Sequence, residues 1–368
     1  MGGSAAAVLS FLPSLGPATV APLPSGGAEG DDGAPSCFPY HPDSPSKTSP
    51  ADLPTLFSGC ALRLTDGRNL GYIIVGDLNS DRVVVLCNGN PGSRLEARVH
   101  GNAAYAAGVR LVCVDRQGVG LSDPVKTEEQ NTLKQFVSDV GELLDHLCVD
   151  RYSVVGYSTG GPAALALSKY DERVSRVGLL ASVAPLAVFG TNDMPLEARF
   201  MFFLSKRAPG LLTALVSNRV GNHLSRNKAI ADPSHLDRLI EEFSVSRVWQ
   251  GTDKEFVDNV DWTKRRLFMV STLEAFRQGA KGCTDYGSLI TDHWGFLLAT
   301  IDKPVHLYHG TKDDTVPIQM TEYLESRLQH TETRFIQGQG HLSLICRYMG
   351  QALKDVTTDL DCNPQVAL

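Results

Sequence analysis

The chain has 368 residues, 42% of them hydrophobic, and its 34 Lys and Arg set against 41 Asp and Glu leave a net charge of −7. This is enough apolar sequence for one large domain with an insertion, and an acidic chain without a basic run argues against nucleic acid or an anionic membrane surface as partner. No uninterrupted apolar segment reaches the roughly 20 residues of a membrane span, so stable membrane insertion is not expected.

Met1 to Pro54 is rich in Gly, Ala, Ser and Pro and reads as a disordered low-complexity leader. No Lys or Arg precedes Lys47, so the leader could be at most a weak targeting segment, and Ala6 stands where an N-myristoylation signal has Ser or Thr. From Cys60 onward strands and helices alternate. Ala61–Leu64 and Gly71–Val75, joined through Asp66-Gly67, predict an antiparallel edge hairpin. Val83–Cys87 is apolar throughout, as a strand buried on both faces must be, and Val109–Val114, Tyr152–Val155, Val177–Leu180, Val305–Tyr308 and Thr333–Ile336 continue the set. Helical patterns fall at Ala97–Ala107, Leu133–Leu147, Pro162–Lys169, Ile318–Leu328 and Leu342–Val356.

Alternating βα units predict an α/β fold with a doubly wound, mostly parallel sheet. Its core spans residues 55–183 and 300–368. Residues 184–299 hold only helix-like runs, around Leu196–Ala208, Leu211–Val220, Leu236–Phe243 and Glu255–Gln278, and are expected to form a helical cap over the C-terminal edge of the sheet. Eight cysteines are scattered through the chain without Cys-x-x-Cys spacing, and two of them, Cys87 and Cys113, fall inside apolar runs. Free thiols in a reducing, cytoplasmic setting and no metal site are the expectation.

Chemistry concentrates where strands end. Gly156-Tyr157-Ser158-Thr159-Gly160-Gly161 joins a strand directly to a helix. So tight a turn forces its central residue into a strained conformation that small neighbours must tolerate, and it leaves the Ser158 Oγ standing above the sheet edge as a nucleophile. A serine hydroxyl needs an imidazole to take its proton, and the imidazole needs a carboxylate to fix its tautomer. Asp313, after the strand Val305–Tyr308, and His341, after the strand ending at Ile336, follow Ser158 in that order, with Asp314 the fallback acid. Each also has a plainer role available, capping the helix that follows it. After Val83–Cys87, the turn Asn88-Gly89-Asn90-Pro91-Gly92 aims backbone N–H groups toward the nucleophile, which assigns the oxyanion hole to the N–H groups of Asn90 and Thr159. Asn88, Tyr157, Phe202 and Trp294 are the expected substrate contacts.

These motifs resemble the α/β-hydrolase superfamily, in its cap-bearing, esterase-like and peptidase-like group. The resemblance runs from about Cys60 to the end of the chain. It includes Asp115-Arg116-Gln117-Gly118-Val119-Gly120-Leu121-Ser122-Asp123, similar to that family's D-R-x-G-x-G-x-S loop, Gly92-Ser93-Arg94, the cap segment Ala275-Phe276-Arg277-Gln278-Gly279 and Trp294-Gly295-Phe296. It implies hydrolysis of a small-molecule substrate through an acyl-enzyme, with no metal or organic cofactor. Asn88 departs from the family's usual His-Gly. Ser158 stands where that family's dehalogenases and epoxide hydrolases carry Asp, and the elbow lacks the Trp of proline iminopeptidases. Two other readings stay open: a small-molecule receptor on the same fold, and a cofactor-free lyase or perhydrolase. Oligomeric state is not encoded legibly.

Overall fold

A run of alternately facing apolar residues becomes a central strand only when both faces of its sheet are covered. Val83–Cys87 (β3) meets that condition: Val84 and Leu86 enter one hydrophobic cluster, and Val83, Val85 and Cys87 enter the cluster on the opposite face. The computed structural model describes residues 56–222, 224–246, 250–358 and 360. The expected leader, Met1–Pro54, lies outside the described residues.

The other strands are β1 (Cys60–Arg63), β2 (Asn69–Gly76), β4 (Arg110–Val114), β5 (Tyr152–Tyr157), β6 (Val174–Leu180), β7 (Val305–Gly310) and β8 (Thr331–Ile336). They form one sheet in the order β1-β2-β4-β3-β5-β6-β7-β8. β1 and β2 pair antiparallel, β2 runs antiparallel to β4, and every pairing from β4 to β8 is parallel. Each parallel step has a helix in its connection: α1 (Gly101–Ala106), α2 (Leu133–His146), α3 (Gly161–Tyr170) and, before and after β8, α12 (Ile318–Arg327) and α13 (His341–Thr357). α2 shows why such segments fold. Thr132 accepts a hydrogen bond from Gln135 N at 3.0 Å, and Leu133, Phe136, Val137, Val140, Leu143 and Leu144 form one buried stripe. Each such side chain contributes about 1.5–3 kcal/mol.

Between β6 and β7 the described residues contain eight α-helices and no strand: α4 (Leu186–Phe189), α5 (Leu196–Arg207), α6 (Pro209–Asn222), α7 (Arg226–Ala231), α8 (Pro233–Val245), α9 (Gly251–Asn259), α10 (Trp262–Ala275) and α11 (Lys281–Thr291). This is the helical cap. Two expected helices differ in detail. Ala97–Ala107 is a 3₁₀ segment, Arg94–His100, followed by α1, because Ser93 Oγ accepts from Leu95 N and starts the coil three residues early. Glu255–Gln278 divides into α9 and α10 because Asp261 caps a fresh helix, accepting from Lys264 N at 2.8 Å.

The cap is fastened to the core by buried charge. Arg94 is fully buried; its guanidinium meets Asp115 at 2.6 Å and Glu274 of α10 at 3.0 Å, and Arg226 of α7 reaches Glu274 at 2.5 Å. Gln278 adds hydrogen bonds to Gly120 O at 2.9 Å and Ser122 O at 2.8 Å. The segments that carried the family resemblance, Ser93-Arg94, Asp115–Ser122 and Ala275–Gly279, thus meet at one joint. Described cysteines are free, and no described helix is long and apolar enough to cross a membrane.

Candidate active site

β5 lies between β3 and β6, so its C-terminal end opens at the middle of the sheet. There the chain turns from β5 through a single 3₁₀ turn, Ser158–Gly160, into α3. Ser158 has φ 53°, a conformation that costs a non-glycine residue roughly 1–3 kcal/mol and persists only where the surroundings enforce it. They do so by close approach: a Cβ on Gly160 would stand 2.0 Å from Cys87 O, so only glycine lets the elbow seat against the end of β3.

Ser158 and His341 line one cavity of about 240 Å³ between the sheet edge and the cap. His341 Nδ1 is 2.7 Å from Asp313 Oδ2, and Asp313 Oδ1 accepts from Thr315 N and Val316 N, both at 2.8 Å. The Asp313 side chain has no exposed surface. Burial opposes its charge, but the His341 imidazole and the Val316 N–H hold the carboxyl below the ordinary Asp range. For His341, burial opposes the charged form, while the charge and hydrogen bond of Asp313, with Asp253 beyond, hold the imidazole above its ordinary value. Asp314 is exposed, and it is Asp313 Oδ2 that stands at His341 Nδ1. The structure therefore brings Asp313, and not Asp314, to His341.

The turn after β3 stands beside the elbow. Asn90 N donates to Thr159 Oγ1 at 2.8 Å, so the first expected oxyanion donor already has a partner in the resting site. Asn88 is buried and absent from the cavity wall: its Nδ2 donates to Ser93 O at 3.0 Å and its Oδ1 accepts from Arg116 at 3.1 Å. It closes the loop on itself, as a hydrogen-bonding side chain at a turn should, and is not placed to touch substrate. Trp294 is also outside the cavity. Its Nε1 donates to Ile290 O at 3.2 Å, and its ring packs near Phe296, 6.1 Å between centroids. Tyr157 and Phe202 do line the cavity, Tyr157 packing edge-on against His100.

Three residues with evident roles were not singled out from sequence. Arg116 donates to Asn88 O at 2.7 Å, Gly89 O at 3.1 Å and Gly92 O at 3.2 Å, gathering three carbonyls of the loop. Its position in the D-R-x-G-x-G loop was the available signal. Glu96 lines the cavity, and desolvation pushes its carboxyl up to about 7 against the nearby charge of Arg116. Asp253, from the cap, accepts from His341 N at 2.7 Å. Much of the remaining wall is apolar, including Met201, Phe243, Phe268, Phe276 and Ile345.

Comparison with known proteins agrees with this architecture. The family model described as alpha/beta hydrolase fold matches residues 82–347. A putative non-heme chloroperoxidase of Synechocystis is 28% identical over 272 residues, 72% of this chain and 86% of that protein. A 2-hydroxy-6-oxo-6-phenylhexa-2,4-dienoate hydrolase of Burkholderia cepacia is 32% identical over 136 residues, 36% of this chain and 47% of that protein. Among solved structures, the bromoperoxidase of Bacillus anthracis superposes with TM-score 0.56 at 18% identity, covering 81% of this chain and 97% of its own. The esterase of Exiguobacterium antarcticum does so with TM-score 0.53 at 17% identity, covering 81% and 98%. With its sheet order, its strained elbow, its inserted cap and a family match over more than half its length, the chain belongs to the α/β-hydrolase superfamily.

Proposed function

We propose that the protein is a serine hydrolase that cleaves an ester, or with less support an amide or thioester, of a small to medium, largely uncharged substrate through an acyl-enzyme. The observation that carries this reading is the coexistence, in one cavity, of Ser158 on a strained turn and of His341 with its Nδ1 tied to a buried carboxylate. With the proton on Nδ1, donated to Asp313, Nε2 is left as an acceptor. It takes the Ser158 proton as Oγ attacks the substrate carbonyl, and the resulting imidazolium is stabilised by Asp313. The oxyanion is received by the N–H groups of Thr159 and Asn90, the latter releasing Thr159 Oγ1. The imidazolium returns its proton to the leaving group, and water repeats the sequence to free the acid.

The apolar wall supports an uncharged acyl group. Its volume, about 240 Å³, falls just below the roughly 300–1,000 Å³ of pockets for drug-sized ligands, which favours short to medium chains. A panel of p-nitrophenyl esters tests this directly: hydrolysis with an optimum at intermediate acyl length supports the reading. Inactivity on every ester, with Ser158 unlabelled by a fluorophosphonate, favours a receptor instead. A second reading has its own observation, the similarity to a relative named as a putative non-heme chloroperoxidase over 86% of that protein's length. The same acyl-enzyme attacked by hydrogen peroxide in place of water releases a peracid, and its formation from acetate and peroxide would show it.

A further inference from the structure

The helix that begins at His341 has its first N–H groups satisfied from an unexpected source. Asp253, on cap helix α9 and 88 residues earlier in the chain, accepts from His341 N at 2.7 Å and Leu342 N at 3.2 Å through Oδ2, and from Ser343 N at 2.9 Å through Oδ1. Its side chain is buried. These are the orphan donors of a helix start, where a carboxylate is also favoured by the helix dipole. Such an acceptor ordinarily comes from the residue just before the helix. Here that residue is Gly340, and a Cβ on it would lie 2.5 Å from Asp253 Oδ1, so the position is kept open for a carboxylate from the cap.

The base is thereby held from two sides: its ring by Asp313 of the core, its backbone by Asp253 of the cap. We propose that Asp253 is a positioning residue for His341, making the placement of the base depend on the seating of cap helix α9. This rests on the serine-hydrolase reading above. Other charged and titratable groups at this corner are Asp313 with His309 behind it, Asp314 with Lys312 in the same loop, and Glu96 across the cavity. Arg347 of α13 stacks 5.4 Å over Phe256 of α9 and reinforces the contact.

The test compares the full chain with Asp253→Ala and Asp253→Asn, reading Tm, the rate of fluorophosphonate labelling of Ser158, and the pH profile of kcat/KM on a p-nitrophenyl ester. For Asp253→Ala, labelling and kcat should each fall about tenfold or more, with KM little changed, since small misplacement of a catalytic group is costly. Loss of the carboxylate charge should also lower the apparent pKa of the base in both variants. Asp253→Asn keeps one acceptor, enough for His341 N and Leu342 N but with its NH₂ facing Ser343 N, and should recover part of the rate without recovering the pKa. A lowered Tm with wild-type labelling rate and pH profile would mean that Asp253 only caps a helix, overturning the proposal. If Asp253→Ala does not fold, the Asn variant decides, and a wild-type pKa in it overturns the proposal equally. An unlabelled wild-type protein would instead remove the hydrolase reading and this role with it.

Discussion

Asp313→Asn is the sharpest perturbation of the site, because the structure leaves an asparagine no comfortable orientation. Asp313 accepts through both oxygens, from Thr315 N and Val316 N on one side and from His341 Nδ1 on the other. Asn has one acceptor oxygen and one NH₂. Turned so that its oxygen keeps the two backbone donors, it presents N–H to Nδ1 and drives the imidazole proton to Nε2, where it blocks removal of the serine proton. Turned the other way, it leaves two buried backbone donors facing an NH₂, at about 1–3 kcal/mol each. The first arrangement is the less costly, so the wrong tautomer should dominate. Loss of the correct tautomer in a serine triad costs about 10⁴ in kcat, equal to about 5.4 kcal/mol of barrier. Steady-state hydrolysis of a short p-nitrophenyl ester, with circular dichroism to verify the fold, measures it. Asp314→Asn is the control and should alter kcat by less than about threefold, its side chain being exposed. A mild Asp313→Asn with a severe Asp314→Asn would refute the assignment of the acid.

In the proposed role as base His341 must be neutral to act, and Asp313 holds its imidazole above its ordinary value, so kcat/KM should rise with pH with a midpoint above the roughly 6.5 of free imidazole; a midpoint below that would contradict the proposed role. Thr159→Val removes the hydroxyl that occupies Asn90 N in the resting site and should raise kcat/KM by a fewfold, one net hydrogen bond being worth about 0.5–1.5 kcal/mol. A fall of tenfold or more would show that the hydroxyl itself serves the oxyanion. Arg94→Met strands the buried Asp115 without its cation, leaves Glu274 to Arg226 and Arg277, and should cost about 3–5 kcal/mol, seen in calorimetry as a drop in Tm of roughly 10 °C, whereas removing the exposed Lys254 partner of Asp258 should scarcely register. Phe202→Ala enlarges the cavity and should move the preferred ester chain length upward; an unchanged optimum would place acyl binding elsewhere.

The parallel strands were legible because burial on both faces leaves unbroken apolar runs, as in Val83–Cys87, and their ends were short because pairing extends further than hydropathy does. β6 begins at Val174, which pairs with Tyr152 of β5 ahead of a register shift that passes Ser175 and Arg176, where the apolar pattern is interrupted. α11 gave no clear signal. It contains Gly282 and Gly287, poor helix formers, and is set by contacts across the fold: Ser288 Oγ donates to Ser205 O at 2.8 Å, and Tyr286 OH to Thr159 O at 2.7 Å. At the site, Ser158, Asp313 and His341 stand out in sequence because each sits in a local motif at a strand end; the structure pairs Asp313 with His341 and puts Ser158 and His341 on one cavity wall. Asn88 and Trp294 were expected at the substrate because they lie near such motifs, but the Asn88 side chain is held by Ser93 O and Arg116 and Trp294 Nε1 by Ile290 O of α11, both away from the cavity wall. Asp253 was invisible for the opposite reason: its partners are 88 residues away, and no local pattern marks an acid that caps another element's helix.

The most direct test of the central claim is mass-spectrometric mapping of the adduct formed by a fluorophosphonate. A serine hydrolase with Ser158 as nucleophile gives a single stoichiometric adduct on the peptide containing Ser158, absent in Ser158→Ala and slowed by orders of magnitude in His341→Ala. Labelling at another serine, or none under conditions in which the protein is folded, would contradict it.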